Sequence, residues 1–302
     1  MAVGAAAAGR AAEWTRRVIV RTITVLGVGV MGRGIAYAAT LGGFQTVLQD
    51  ASGEALERAM DEISALLEKG VVMGKVAEEA AVAAHKRLSA ARSLEDAARG
   101  ADLLIEAVPE NIEVKVGLFA ALDRVAPGHA VIASNTMSLS ITEMAAATER
   151  PRQVVGMHFF NPVPRMKLLE VVRGLETSDE TVATATAVGE QMGKECVVVR
   201  DSPGFVTSRI NALIGNEAFY MLQEGVASAR DIDRALKLDL GLPAGPFELV
   251  DEVGLDTRLA ILKLLHRTLG EKFRPCPLME QYVVAGRLGR KVGRGVYDYT
   301  VS

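Results

Sequence analysis

From residue 22 to about residue 200, short apolar runs alternate with longer amphipathic stretches. "TITVLGVG" (22–29) is continuous, β-branched and ends in glycines, the pattern of a buried parallel strand. "MGRGIAYAATLGG" then has helical spacing and stops at Gly42 and Gly43. "QTVLQD" predicts a second strand. "SGEALERAMDEISALLEKG" predicts a long amphipathic helix, with Ser52 as its N-cap and Gly70 beyond its end. A charged, Ala-rich helical piece follows around "GKVAEEAAVAAHKRL". "ADLLIEAV", "AVIAS", "QVVGMHFF", "KLLEVV" and "ECVVVRD" predict further strands, most of them separated by helical segments. Strands and helices in alternation mean an α/β sheet with crossover helices.

The pattern changes after "DSPGF". From Pro203 onward the segments are helical: "RINALIGNEAFYMLQEG", "ARDIDRALKLDLG" and "LDTRLAILKLLHRTLG". The break at Asp201–Gly204 predicts an α/β domain over 18–200 and an all-helical domain over 201–302. Apolar stripes such as Ile210, Leu213, Ile214 and Ala218 are expected mostly in the helical core, with some covering the cleft or a partner. Residues 1–17 are small, Ala-rich and basic. They read either as a targeting segment or as a flexible extension, and the weak apolar part favours the extension.

Composition narrows the classes. The chain has 302 residues, 49% hydrophobic and 24% charged, with a net charge of −3. That speaks against a general binder of nucleic acid or of membrane surfaces. No run approaches the roughly 20 apolar residues that span a bilayer. Two Cys do not suggest a disulfide scaffold, and a reducing cytoplasm fits. CxxC and HExxH patterns are absent, so no metal is expected.

Gly27, Gly29 and Gly32 form G-x-G-x-x-G directly after a strand and at the opening of a helix. Gly27 permits the tight turn, Gly29 lets the backbone approach a pyrophosphate, and Gly32 allows close helix–strand packing. The N–H groups at the helix start, around Val30 and Met31, favour the diphosphate. Asp50 ends the second strand, where such folds place an acid for the ribose hydroxyls. No Arg follows in "QDASGE" to meet a 2′-phosphate, so the expected cofactor is NAD.

In "VVGMHFFNPVPRMKLLEVV", His158 and Glu170 interrupt two apolar runs separated by a turn with two prolines. A lone His on an apolar strand is usually a packed core residue, but a carboxylate in "KLLEVV" needs a partner. If the turn folds the second strand back, Glu170 accepts a hydrogen bond from His158 and fixes its tautomer. With NAD, such a pair suits alcohol oxidation, His158 taking the hydroxyl proton. A purely structural buried pair is the other reading.

"GVGVMGRGIAYAATLGGFQTVLQD", "ADLLIEAVPENIEVK", "ASNTMSLSIT", "MHFFNPVPRMKLLEVV", "DSPGFVTSRI", "GPFELVDEVGLD" and "AGRLGRKVGRGVYDY" occur in consistent order. They closely resemble the short-chain L-3-hydroxyacyl-CoA dehydrogenases, from about residue 20 to the end. The resemblance implies a Rossmann-type domain followed by a helical domain that mediates homodimerisation. It implies an acyl-CoA substrate and a catalytic His158–Glu170 pair. It also implies NAD contacts from Asp50, Glu110, Lys115, Asn135, Asn161 and Lys291. Without it, Glu110 and Lys115 read as a solvated first helical turn, Asn135 as a turn former and Lys291 as part of a basic tail loop.

Two positions depart from the family pattern. Met137 stands in "SNTMSL" where a hydroxyl is expected to bond the substrate's 3-oxygen, and Met cannot donate that bond. Ser208 stands where the family usually has Asn. Ser208 or Ser138 supplies the hydroxyl, a water fills in, or else activity on the usual substrate is reduced, down to a weakly catalytic NAD(H)-binding protein, or the substrate differs. Met137 makes the wall beside the reacting carbon more apolar, which suggests an altered acyl preference. Lys69, Lys75, Lys86 and Arg87 either meet CoA phosphates or form a solvated face. A carrier-protein thioester offers the same phosphate chemistry.

Overall fold

The structure, a computed structural model, describes residues 19–299. The chain divides into two compact units between Asp201 and Ser202.

The first unit carries β1 (Thr22–Leu26), β2 (Gln45–Gln49), β3 (Leu88–Ala90), β4 (Leu103–Glu106), β5 (Val131–Ser134), β6 (Val154–Phe159), β7 (Leu168–Arg173) and β8 (Glu195–Arg200). They form one sheet in the order β3-β2-β1-β4-β5-β6-β7-β8. All neighbours are parallel except β6 and β7, which are antiparallel. The order reverses between β1 and β4, and such a switch point opens a crevice beyond the carboxyl ends of the strands. The helices of this unit are α1 (Val30–Leu41), α2 (Gly53–Val72), α3 (Glu78–Arg87), α4 (Leu94–Ala98), α5 (Ile112–Val125), α6 (Ile141–Ala146) and α7 (Asp179–Gln191). The central strands are buried end to end; β4 and β5 expose no residue. Their core includes Ile23, Val25, Ile35, Leu48, Ile105 and Met157.

Ser52 caps α2 through a bond from Ala55 N, as the sequence suggests. Gly70, expected beyond that helix, lies inside it. There it is a packing residue: an added Cβ would meet Val76 Cγ2 at 2.8 Å and the Tyr37 hydroxyl at 3.2 Å. The last residues of "GKVAEEAAVAAHKRL" also depart from expectation, because Leu88 leaves the helix and opens β3 beside β2.

The second unit is helical: α8 (Thr207–Gln223), α9 (Ala229–Leu240), α10 (Pro246–Val253), α11 (Leu255–Leu269) and α12 (Pro277–Val284). On α8 the buried face is Ser208, Ala212, Gly215, Asn216, Ala218 and Phe219. Of the apolar stripe, Ala218 is fully buried, while Ile210 is 52% exposed and lies outside the core. Asp251 binds the last segment: its carboxylate accepts from the backbone N–H groups of Val296 and Tyr297 and from the Tyr299 hydroxyl, at 2.8 to 2.9 Å. Among the described residues no helix is long and apolar enough to cross a membrane. The Ala-rich segment 1–17 lies outside the described residues.

Candidate active site

The glycine loop leaves β1 at Gly27, whose φ of +89° is open mainly to glycine. A Cβ there would also meet the Ala107 carbonyl oxygen at 2.7 Å. A Cβ on Gly32 would run into the Gly27 carbonyl, so α1 lies directly on the turn. Gly29 differs from both. It caps α1 in an extended conformation, and nothing stands within 4 Å of its missing side chain. Open space above free helix-start N–H groups is what a diphosphate needs.

Asp50 sits beside this loop. Its Oδ2 accepts from Val28 N at 3.0 Å and its Oδ1 from Ser52 N at 2.9 Å. The groove here has a volume of about 730 Å³, and Gly29, Val30, Met31, Asp50, Val108 and Pro109 are among its walls. Every cofactor residue expected from the fingerprint therefore lines or borders one groove. This cradle fits a dinucleotide: glycine gap, helix start, and an acid placed for ribose.

Lys115 lies opposite to the solvated position that its charge suggests. It is 0% exposed, and its Nζ binds Glu106 Oε1 at 2.6 Å. Glu106, also 0% exposed, is the residue the sequence reading passed over. It accepts further bonds from Ser134 Oγ at 2.6 Å and Val108 N at 2.7 Å. Burial pushes its carboxyl up from the usual range, against the pull of Lys115 and the other donors. Glu110 keeps some exposure and organises the loop after β5. Its Oε1 accepts from Thr136 Oγ1 at 2.6 Å, Met137 N at 3.1 Å and Ser138 Oγ at 3.3 Å. The Ser138 hydroxyl is thus turned toward Glu110. Asn135 Oδ1 accepts from Phe159 N at 2.9 Å, joining this loop to the end of β6.

On β6 and β7, His158 stands opposite Glu170 in the antiparallel register. His158 Nδ1 and Glu170 Oε2 are 2.7 Å apart, with side chains 8% and 1% exposed. An ionised carboxylate only accepts, so Nδ1 carries the hydrogen and Nε2 the basic lone pair. The Phe160 ring lies 4.3 Å from the imidazole, tilted by 44°. Because β1, β4, β5 and β6 run parallel, this pair is at the same edge of the sheet as the glycine loop.

Beyond β6 the chain turns through Asn161 and the cis-linked Pro162. Lys194, 8% exposed, holds this turn by donating to the Val163 carbonyl at 2.5 Å and the Met166 carbonyl at 2.8 Å. Val163 packs on α1, where a Cβ on Gly34 would meet its own Cβ at 2.8 Å. A groove of about 770 Å³ lies beside the turn, and Lys69, Lys75, Arg165 and Lys194 all line it. The other two sequence candidates belong to the second unit. Ser208 is buried on α8, and Lys291 Nζ binds both carboxylate oxygens of Asp256, at 2.6 and 2.7 Å.

The comparisons with known proteins agree with this arrangement. The family model for the 3-hydroxyacyl-CoA dehydrogenase NAD binding domain matches residues 22–202, and that for the C-terminal domain of the same family matches residues 204–299. The chain is 47% identical over 281 residues to a probable 3-hydroxybutyryl-CoA dehydrogenase of Bacillus subtilis, covering 93% of this chain and 98% of that protein. It is 45% identical over 282 residues to the 3-hydroxybutyryl-CoA dehydrogenase of Bradyrhizobium diazoefficiens, covering 93% and 96%. The crystal structure of (S)-3-hydroxybutyryl-CoA dehydrogenase from Ralstonia eutropha superposes with a TM-score of 0.89 at 42% identity, over 94% of this chain and 100% of that one. With the two family models matched over 22–202 and 204–299 and relatives this similar over nearly their whole length, the chain belongs to the NAD-dependent 3-hydroxyacyl-CoA dehydrogenase family.

Proposed function

We propose that the protein oxidises short-chain (S)-3-hydroxyacyl-CoA, with 3-hydroxybutyryl-CoA as the leading substrate, to the 3-oxoacyl-CoA, and runs the reverse reduction. The observation that carries this is the 2.7 Å His158–Glu170 pair at the sheet edge that also holds the glycine loop. The names of the B. subtilis, B. diazoefficiens and R. eutropha relatives support the substrate. NAD, when bound, supplies the hydride acceptor. His158 takes the hydroxyl proton on Nε2, and Glu170 holds the ring in that tautomer and stabilises the imidazolium. In the reverse direction the imidazolium returns the proton to the forming alkoxide.

Gly27, Gly29, Val30, Met31, Gly32 and Asp50 hold the dinucleotide, with Glu110, Asn135, Asn161 and Lys291 as further contacts and the fully buried Lys115 acting through Glu106 and Glu110. Lys69 and Lys75 meet the anionic CoA end, a reading supported by their place in one basic groove. Ser208 supplies the hydroxyl that Met137 lacks, because Ser138 is engaged by Glu110. Met137 then gives the reacting end a more apolar wall. The working form is a cytoplasmic homodimer joined through the helical unit.

Purified protein with NAD and (S)-3-hydroxyacyl-CoA esters from short to medium chain should produce NADH, fastest with a short chain. The same assay with carrier-protein thioesters and free 3-hydroxy acids should give far lower kcat/KM. NADH formation with none of the CoA esters overturns the proposal.

A further inference from the structure

Glu106 is a buried charge that the reaction above leaves without a role. Its three donors come from three different segments: Lys115 on α5, Val108 in the loop after β4, and Ser134 at the end of β5. Lys115 in turn reaches Glu110 Oε2 at 3.4 Å and the Val108 carbonyl at 3.3 Å. One buried lysine is therefore shared by two carboxylates, and the second carboxylate holds Thr136, Met137 and Ser138. Val108 and Pro109 follow Glu106 closely in the chain, and Val114 precedes Lys115. All three line the groove that contains Gly29 and Asp50.

An ion pair in this position loses its water at a cost that two apolar side chains would avoid. What it gives in exchange is direction. A carboxylate with three charge-assisted or neutral donors fixes each donor to a few tenths of an ångström, which apolar packing does not. We propose that Glu106 is a positioning residue for the dinucleotide. Through Val108 and Lys115 it sets the loop after β4 and the start of α5 against the glycine loop. Through Lys115 and Glu110 it sets the 136–138 segment. This rests on the reading that the groove takes NAD.

The test is NADH binding, followed by fluorescence titration beside thermal melts, in wild type, Glu106→Gln, Glu106→Asp and Ser134→Ala. Glu106→Gln should weaken binding about tenfold or more, the scale of one lost hydrogen bond to a charged group. Glu106→Asp keeps the charge and should retain more affinity than Gln. Ser134→Ala spares the ion pair and should weaken binding by about two- to fivefold. A folded Glu106→Gln with wild-type affinity overturns the proposal. So does an inverted order in which Gln, the closer match in shape, outperforms Asp, since that assigns the residue to space filling. If Glu106→Gln does not fold, unchanged affinity in Ser134→Ala is decisive against it. Wild type that fails to bind NADH sinks the cofactor reading instead.

Discussion

His158 and Glu170 were legible as residues because each interrupts a run of apolar side chains, and a buried carboxylate demands a partner. The structure places them opposite each other at 2.7 Å. His158→Gln should lower kcat by about 10²–10⁴-fold, the usual range for a positioned acid–base group, with NADH affinity nearly unchanged. Glu170→Gln should lower kcat by a smaller factor, since the imidazole remains but loses its anionic support. Stopped-flow and steady-state assays with the best CoA ester check both. Turnover indifferent to His158→Gln would make the pair structural. Glu106 carried the same signal at the end of the apolar run "LLIE" and was missed for want of a visible partner. Its partner Lys115 is nine positions away on another element, where charge alone suggested solvent. Spacing along one chain does not reveal which helix face turns inward across a strand end.

At the scale of elements, β-branched continuity and glycine stops located seven of the eight strands and the long helices. β3 escaped because three residues at the end of a helical stretch carry no pattern of their own; only pairing with β2 makes Leu88–Ala90 a strand. Gly70 was misplaced for a related reason, since a glycine that ends a helix and one that admits a neighbour look alike in sequence. The glycine loop separates these two uses experimentally. Gly32→Ala forces a Cβ into the Gly27 carbonyl and should destabilise the first unit by about 1–3 kcal/mol. Gly29→Ala adds a methyl where nothing stands within 4 Å and φ is −61°, so the thermal midpoint should barely move. NADH affinity should nevertheless fall about tenfold or more, because the methyl enters the space meant for the diphosphate. Equal melting points for the two variants would contradict this division of roles.

For the whole molecule, the periodicity changes at "DSPGF", and the chain divides into its two units between Asp201 and Ser202. Association was not readable from pattern. In the helical unit Val206, Ile210, Leu238, Leu240 and Val284 are each more than half exposed, which supports the proposed dimer face without locating it. Sedimentation should therefore give about twice the mass of one chain, and a monomer at micromolar concentration would refute the dimer. The single antiparallel step in the sheet has a last consequence. Every other neighbouring pair of strands is parallel and needs a long crossover between its members. Only β6 and β7 are joined by a simple turn, so base and acid lie twelve positions apart and form one short cassette. Side chains alternate faces along a strand, so a one-residue slip in that cassette would swing the carboxylate to the far side of the sheet. Insertions and deletions between 160 and 167 should accordingly be poorly accepted.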